Sequence, residues 1–213
     1  TTGNNNTAIG DSALVQNTTA SNNTAVGYQS LYSNTTATDL TAVGKTALYS
    51  NTTGAANTGI GLDALYTNTT GSGNTAVGVA ANKLNTTGTS NASLGVYALL
   101  FNSTGGSNTT MGYGSLYSNT TASNNTAVGY QAGYTNTTGS NNTFFGYQAG
   151  YTSNTGSTSG NTAVGLQAGY SLTNGTFNNF FGFQAGYSIT SGTKNTIIGA
   201  YNGNQGVLDI RTA

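Results

Sequence analysis

Asn23-Thr24-Ala25-Val26-Gly27 decides the fold, because lightly edited copies of it run through almost the whole 213-residue chain. Its glycine recurs as Gly10, Gly27, Gly44, Gly61, Gly78, Gly95, Gly112, Gly129, Gly146, Gly165, Gly182 and Gly199. Successive glycines lie 17 residues apart, except Gly146 and Gly165, which are 19 apart. Self-similarity at a fixed period marks a repeat architecture. With the glycine as position 0, position −1 is large and apolar in all twelve units, from Ile9 and Val26 to Phe181 and Ile198. Position −2 is mostly Ala, with Phe144, Phe180 and Ile197 as large exceptions, and positions −3 and −4 are nearly always Thr and Asn.

Two runs of about five residues per unit, rich in Thr, Val and Tyr and bounded by Gly, Asn and Ser, read as short strands. No apolar period of about 3.6 residues crosses the unit, and 17 residues are too few for a helix-pair repeat. The expected fold is all-β: a parallel β-solenoid, or β-roll, of about twelve 17-residue coils with two short strands each. At about 4.8 Å per coil, the stack is a rod of roughly 55 Å. Residues 1–201 form one repeat array, and 202–213 a terminal partial repeat leading to a following domain or the next subunit. The two extra residues fall within Thr152–Gly160, where a turn absorbs them.

Charge is sparse: Asp11, Asp39, Asp63, Asp209, Lys45, Lys83, Lys194 and Arg211 are 4% of the chain and balance to zero. That excludes the basic footprint of a nucleic-acid binder and gives no basic run for an anionic membrane. No apolar stretch approaches the roughly 18 residues of a membrane span, and no basic-then-apolar leader opens the chain. Disordered polar chains lack periodic apolar positions and usually carry high net charge. With no Cys, His or Glu, disulfides, thiolate metal sites and the usual nucleophile–base pairs are absent, so no catalytic, metal or cofactor-binding residue is assigned. The repeated glycines are turn residues, because no Lys-Ser/Thr partner makes them a phosphate cradle. The Asp residues, never two to a unit, exclude a calcium-binding β-roll.

Neighbours in a strand point to opposite faces. Positions −1 and −2 are nevertheless both free of charge, so both faces of the first strand are expected to be at least partly covered. A coil this thin has little core of its own, and partners are expected to be copies of the chain, as a lateral homotrimer, by end-to-end stacking, or both. Neither end carries a polar capping repeat, which fits a segment cut from a longer fibre or one that stacks on its neighbour. Position +4 turns from Leu14, Leu31 and Leu48 in early units to Gly133, Gly150, Gly169, Gly186 and Gly203 in late ones, where Phe144 and Phe180 appear at −2. Positions −2 and +4 are expected to face each other, with each phenylalanine filling the space of the glycines, against chance drift between surface positions as the alternative. The unit around Gly78 departs most, with Asn82 and Lys83 replacing Leu and Tyr, and is expected to be the weakest coil.

Position +7 is a column of Asn17, Asn34, Asn51, Asn68, Asn85, Asn102, Asn119 and Asn136. Asn suits a tight αL turn that bonds its own backbone, and stacked amides also pair from coil to coil as a ladder. Each of these residues sits in an Asn-x-Thr/Ser sequon, as do Asn5, Asn22, Asn91, Asn108, Asn124, Asn141 and Asn174. Branched glycans on coils only about 4.8 Å apart collide, so modification is at most sparse. Tyr28, Tyr113, Tyr130 and Tyr147 at +1, and Tyr32, Tyr49, Tyr66, Tyr117, Tyr134, Tyr151, Tyr170 and Tyr187 at +5, are candidates for glycan contact, against cross-coil packing as the alternative. An ice-binding face needs alternate threonines on one strand face, whereas −3 to −1 supplies one Thr beside Ala and Val.

The unit Asn125–Ala132, Asn-Thr-Ala-Val-Gly-Tyr-Gln-Ala, resembles head repeats of trimeric autotransporter adhesins and, more closely, repeat arrays of bacteriophage tail fibres and bacterial surface fibres. The closing Gly203–Arg211 segment is similar to sequence following such arrays in marine phage fibres. The resemblance covers roughly residues 4–211 and implies a left-handed parallel β-roll, usually a homotrimer, on a cell surface or virion. The 17-residue period is longer than that of adhesin heads, and no receptor-binding tip is visible. The expected function is a non-enzymatic structural fibre or filament segment serving surface attachment; the alternatives are a glycan-binding adhesin module and an ice-binding solenoid.

Overall fold

A computed structural model describes residues 2–153, 159–200 and 202. Every coil contributes one three-residue strand, from Thr7–Ile9 and Thr24–Val26 to Thr196–Ile198, and the twelve form a single parallel sheet in chain order. Equivalent residues stand directly over one another: Thr7 pairs with Thr24, Ala25 with Ala42 and Val128 with Phe145. Register survives the longer interval, since Thr143 pairs with Thr162. The chain is an all-β solenoid with about 17 residues per turn, and no helix occurs among the described residues. The turn expected to absorb the extra residues includes 154–158, outside the described residues, as is nearly all of the terminal segment 202–213.

The expected second strand per coil, the Tyr28–Tyr32 segment, is not a strand. Residues at +2 and +4 adopt left-handed backbone, as at Gln29 (φ 53°) and Leu31 (φ 50°), which breaks the pleat. The segment still joins neighbouring coils: Leu31 N–H donates to Ala47 O at 3.0 Å and Gln29 N–H to Asp11 O at 2.9 Å. Among the described residues a second sheet forms only from Asn174–Thr176 and Ser191–Thr193, further round the coil. The repeat glycine is fixed by crowding. At Gly61 (φ 130°) an added Cβ would lie 2.5 Å from the carbonyl oxygen of Gly78, so only glycine lets adjacent coils approach this closely.

Inside the coil lie the −2, +3, +4, +7 and +10 columns and most of −4. Ala25, Ala42, Leu31, Leu48, Asn34 and Asn51 are fully buried. The −2 side chains turn inward, whereas −1 and −3 turn outward, so the chain itself covers only one face of its sheet. Any further cover of the second face, which the sequence leads one to expect, has to come from outside the coil, and lack of charge at −1 reflects something other than burial within it.

The facing of −2 and +4 holds. Phe144 is completely buried, and a Cβ on Gly133 would meet its ring at 2.7 Å, while one on Gly150 would intrude on the ring directly. Phe180 occupies the same space beside Gly169 and Gly186, at 2.8 and 2.7 Å. Late coils thus exchange two leucines and an alanine for two glycines and a phenylalanine. The coil around Gly78 carries the flaw expected of it: Asn82 is buried, yet neither its amide nitrogen nor its oxygen has a partner.

Candidate functional site

The polar interior is the first candidate. Seven of the eight +7 asparagines, Asn34 to Asn136, are completely buried, with Asn17 partly so. Each Nδ2 donates to the carbonyl three residues on, as Asn85 does to Gly88 (3.0 Å) and Asn102 to Gly105 (2.9 Å). Each from Asn51 onward also donates to the Oδ1 one coil back: Asn68 to Asn51 at 2.8 Å, Asn85 to Asn68 at 2.7 Å, Asn102 to Asn85 at 2.8 Å, and Asn119 to Asn102 at 2.8 Å. The bond is longer at the ends, 3.4 Å from Asn51 to Asn34 and 3.5 Å from Asn136 to Asn119. The ladder expected from the sequence is present. The αL conformation expected of these residues is not, because it falls at +2, +4 and +12, leaving the +7 side chains free to point inward.

The sequence reading missed a second ladder at −4. Asn74 N–H donates to Asn57 Oδ1 at 2.8 Å and Asn91 Nδ2 to Asn74 Oδ1 at 3.2 Å, and the pattern continues from Asn161 to Asn195. Leu40 interrupts the amides, yet its own N–H still donates to Asn23 Oδ1 at 3.0 Å. The near-invariance of Asn at −4, in a column free of charge, was the available signal. The two ladders share acceptors: Gly105 O takes Asn91 Nδ2 at 2.8 Å and Asn102 Nδ2 at 2.9 Å, using both lone pairs. Buried amides satisfied this fully hold a coil in register with its neighbours, since a slip would strand each of them. The +7 ladder stops where the sequence changes. Asn136 Oδ1 and Ser153 Oγ are both buried without partners, and the next two coils carry Leu172 and Ile189.

The tyrosines form stacks. At +5, Tyr32, Tyr49 and Tyr66 lie 5.1 Å apart between centroids, and Tyr117, Tyr134, Tyr151, Tyr170 and Tyr187 continue at 4.8–5.3 Å. All are half-buried. Lys83 stands in the gap, its Nζ 5.6 Å from the Tyr66 centroid and 2.9 Å from Asp63 Oδ2. At +1, Tyr113, Tyr130 and Tyr147 stack at 5.4 and 5.2 Å and are more exposed. Within each stack the ring faces cover one another, so edges and hydroxyls are what solvent meets. Burial first, then the neighbouring tyrosines, pushes the Tyr134 and Tyr170 hydroxyls above the ordinary tyrosine range. Burial alone would also raise the Asp63 carboxyl. Hydrogen bonds from Thr46 and Lys83, with the charges of Lys83 and Lys45, outweigh it and hold the group below its usual value. Gln131, Gln148, Gln167 and Gln184 at +2 add an amide ladder nearer solvent, at 2.9–3.1 Å.

Sequons divide by position. The +7 and −4 asparagines are enclosed and hydrogen-bonded, whereas Asn5, Asn22, Asn124, Asn141 and Asn174 are exposed. On the outward strand face each coil shows one residue at −3, Thr in all but the Ala92 and Asn179 coils, and one apolar residue at −1, not the paired threonines an ice-binding array needs. Among the described residues, no three His, Cys, Asp or Glu side chains converge. In comparisons with known proteins, no family model, no curated protein and no solved structure matches this chain.

Proposed function

We propose that this chain is a rigid, non-enzymatic shaft segment of an extracellular or virion-borne fibre or filament that serves surface attachment, assembled with copies of itself. The observation that carries the reading is the unbroken one-coil register of the backbone over twelve coils, reinforced by a buried +7 amide ladder from Asn34 to Asn136, which makes length and stiffness the molecule's main product. Repeat solenoids of this kind are quasi-one-dimensional, each coil contacting only its neighbours. The resemblance of Asn125–Ala132 to fibre repeats points the same way. A glycan-binding module has less support, since ring faces that would stack on sugars are already stacked on one another. Electron microscopy of the purified chain tests the reading. Straight particles with a long dimension of roughly 55 Å, or multiples of it, are expected; compact globular particles would refute it.

A further inference from the structure

From the Gly61 coil to the Gly182 coil, eight in all, both columns flanking the repeat glycine are apolar or aromatic without exception. Position −1 runs from Ile60 to Phe181 and position +1 from Leu62 to Phe183. Thirteen of the sixteen are exposed, from Val96 at 36% to Phe183 at 57%, and Val77, Val128 and Val164 are half-buried. Six of them are aromatic, with about 150–250 Å² each, and ten are smaller aliphatic side chains; with roughly half of each open, the sixteen together present on the order of 1,000 Å². The largest apolar patch of an ordinary monomer is about 300–600 Å². A standard interface needs only about 800 Å² from each partner. Along its −1 column the stripe borders a depression of about 270 Å³, lined by Val77, Ala92, Leu94, Met111 and Val128, where Ala92 stands in place of the Thr of the two adjacent coils.

We infer that this two-column stripe is the face on which a second copy of the chain lies lengthwise. The inference rests on the shaft reading and names its lateral contact. Two features select a second copy over an unrelated partner. The stripe carries no charge for a charged partner to complement. Its side chains repeat at the coil spacing, so only another solenoid of equal rise keeps knob and hollow in step over eight coils. The protruding Phe145 and Phe181 supply knobs, and the Ala92 depression supplies a hollow. The charged residues of the +1 column, Asp11 and Lys45, fall in coils outside this stretch.

Sedimentation of the full chain at micromolar concentration tests this with two charge-insertion pairs. Leu94→Lys with Phe145→Lys places charge on the stripe; Thr87→Lys with Thr138→Lys places the same charge on exposed positions elsewhere. The wild type and the threonine pair should sediment as oligomers, and the stripe pair should weaken association by about tenfold or more while keeping the β-sheet circular dichroism signal. A monomeric wild type, or a stripe pair that associates as well as the threonine pair, overturns the inference. If the stripe pair does not fold, single cysteines decide, because the chain has none of its own. Phe145→Cys should cross-link between copies and Thr138→Cys should not; equal yields overturn the inference. Monomers that are straight rods in the microscope would sink the lateral contact and leave the shaft intact.

Discussion

Truncating Phe144 and then rebuilding its space from the opposite side is the sharpest test of how the core is filled. The ring is fully buried and spans two coils, facing Gly133 in one and Gly150 in the next. Phe144→Ala removes a buried ring and should destabilise by about 3–5 kcal/mol. Gly150→Ala in the natural chain forces a methyl into the ring at a residue with φ 60°, and should cost about 2–4 kcal/mol from overpacking and left-handed strain together. With Phe144 already truncated the clash is gone and only the strain of about 1 kcal/mol remains. The two changes should therefore couple by about 1–3 kcal/mol. Early coils show the alternative solution, in which Ala42 faces Leu31 and Leu48, both buried with φ near 50°. A triple variant with Phe144→Ala, Gly133→Leu and Gly150→Leu copies that arrangement and should recover at least about half of the loss, since each buried leucine returns roughly 1.5–3 kcal/mol. Urea unfolding at fixed protein concentration reads the midpoints, with an unchanged slope as the check that only stability moved. Equal costs for Gly150→Ala in both backgrounds, or a triple variant no more stable than Phe144→Ala, would refute the reasoning.

Three further outcomes follow from the buried polar groups. Asn82→Leu should stabilise the chain by about 1–3 kcal/mol in urea, because it removes an unpartnered buried amide and restores the residue found at this position in neighbouring coils. Asn102→Leu should destabilise by about 3 kcal/mol or more, since it strands Asn85 Oδ1 and leaves Asn119 Nδ2 and the Gly105 carbonyl with one partner each. Ser153→Asn should add about 1 kcal/mol by giving Asn136 Oδ1 a donor, which hydrogen exchange in that coil would register as slower amides. The depressed Asp63 carboxyl sets an acid limit. Its unfolded value is about 3.9, so its contribution is full above about pH 4 and is lost as pH falls through the lower folded value. For a pair this exposed the loss is at most about 1 kcal/mol, and Asp63→Asn should abolish it.

The period, the parallel register and the +7 ladder were legible because they are written as identical residues at identical spacing. The inside–outside sense of the strand was not. Val26 and Ala25 are both uncharged, and only the fold shows that the smaller one points into a narrow interior while the larger is left outside. The second strand was misread because nothing in Tyr28–Tyr32 announces left-handed backbone at Gln29 and Leu31. Such conformations are uncommon for bulky side chains, and here coil-to-coil backbone hydrogen bonds impose them. Asn at +7 was expected to supply the αL turn itself, yet its amide goes inward, where it bonds two acceptors. Tyrosines in register were visible as a column, but whether their faces were free or stacked depended on side-chain direction, which spacing alone does not give.

The central claim is that residues one period apart stand one coil apart along a straight axis. Pulsed electron paramagnetic resonance on pairs of spin-labelled cysteines, diluted with unlabelled chain, tests it on the exposed threonines Thr36, Thr70, Thr104 and Thr121. Thr36 and Thr121 are five periods apart, 85 residues, and should give a narrow distance near 24 Å, with Thr36–Thr104 near 19 Å, each added coil contributing about 4.8 Å. Distances that do not rise in equal steps with the number of periods, or broad distributions at every pair, would contradict the account.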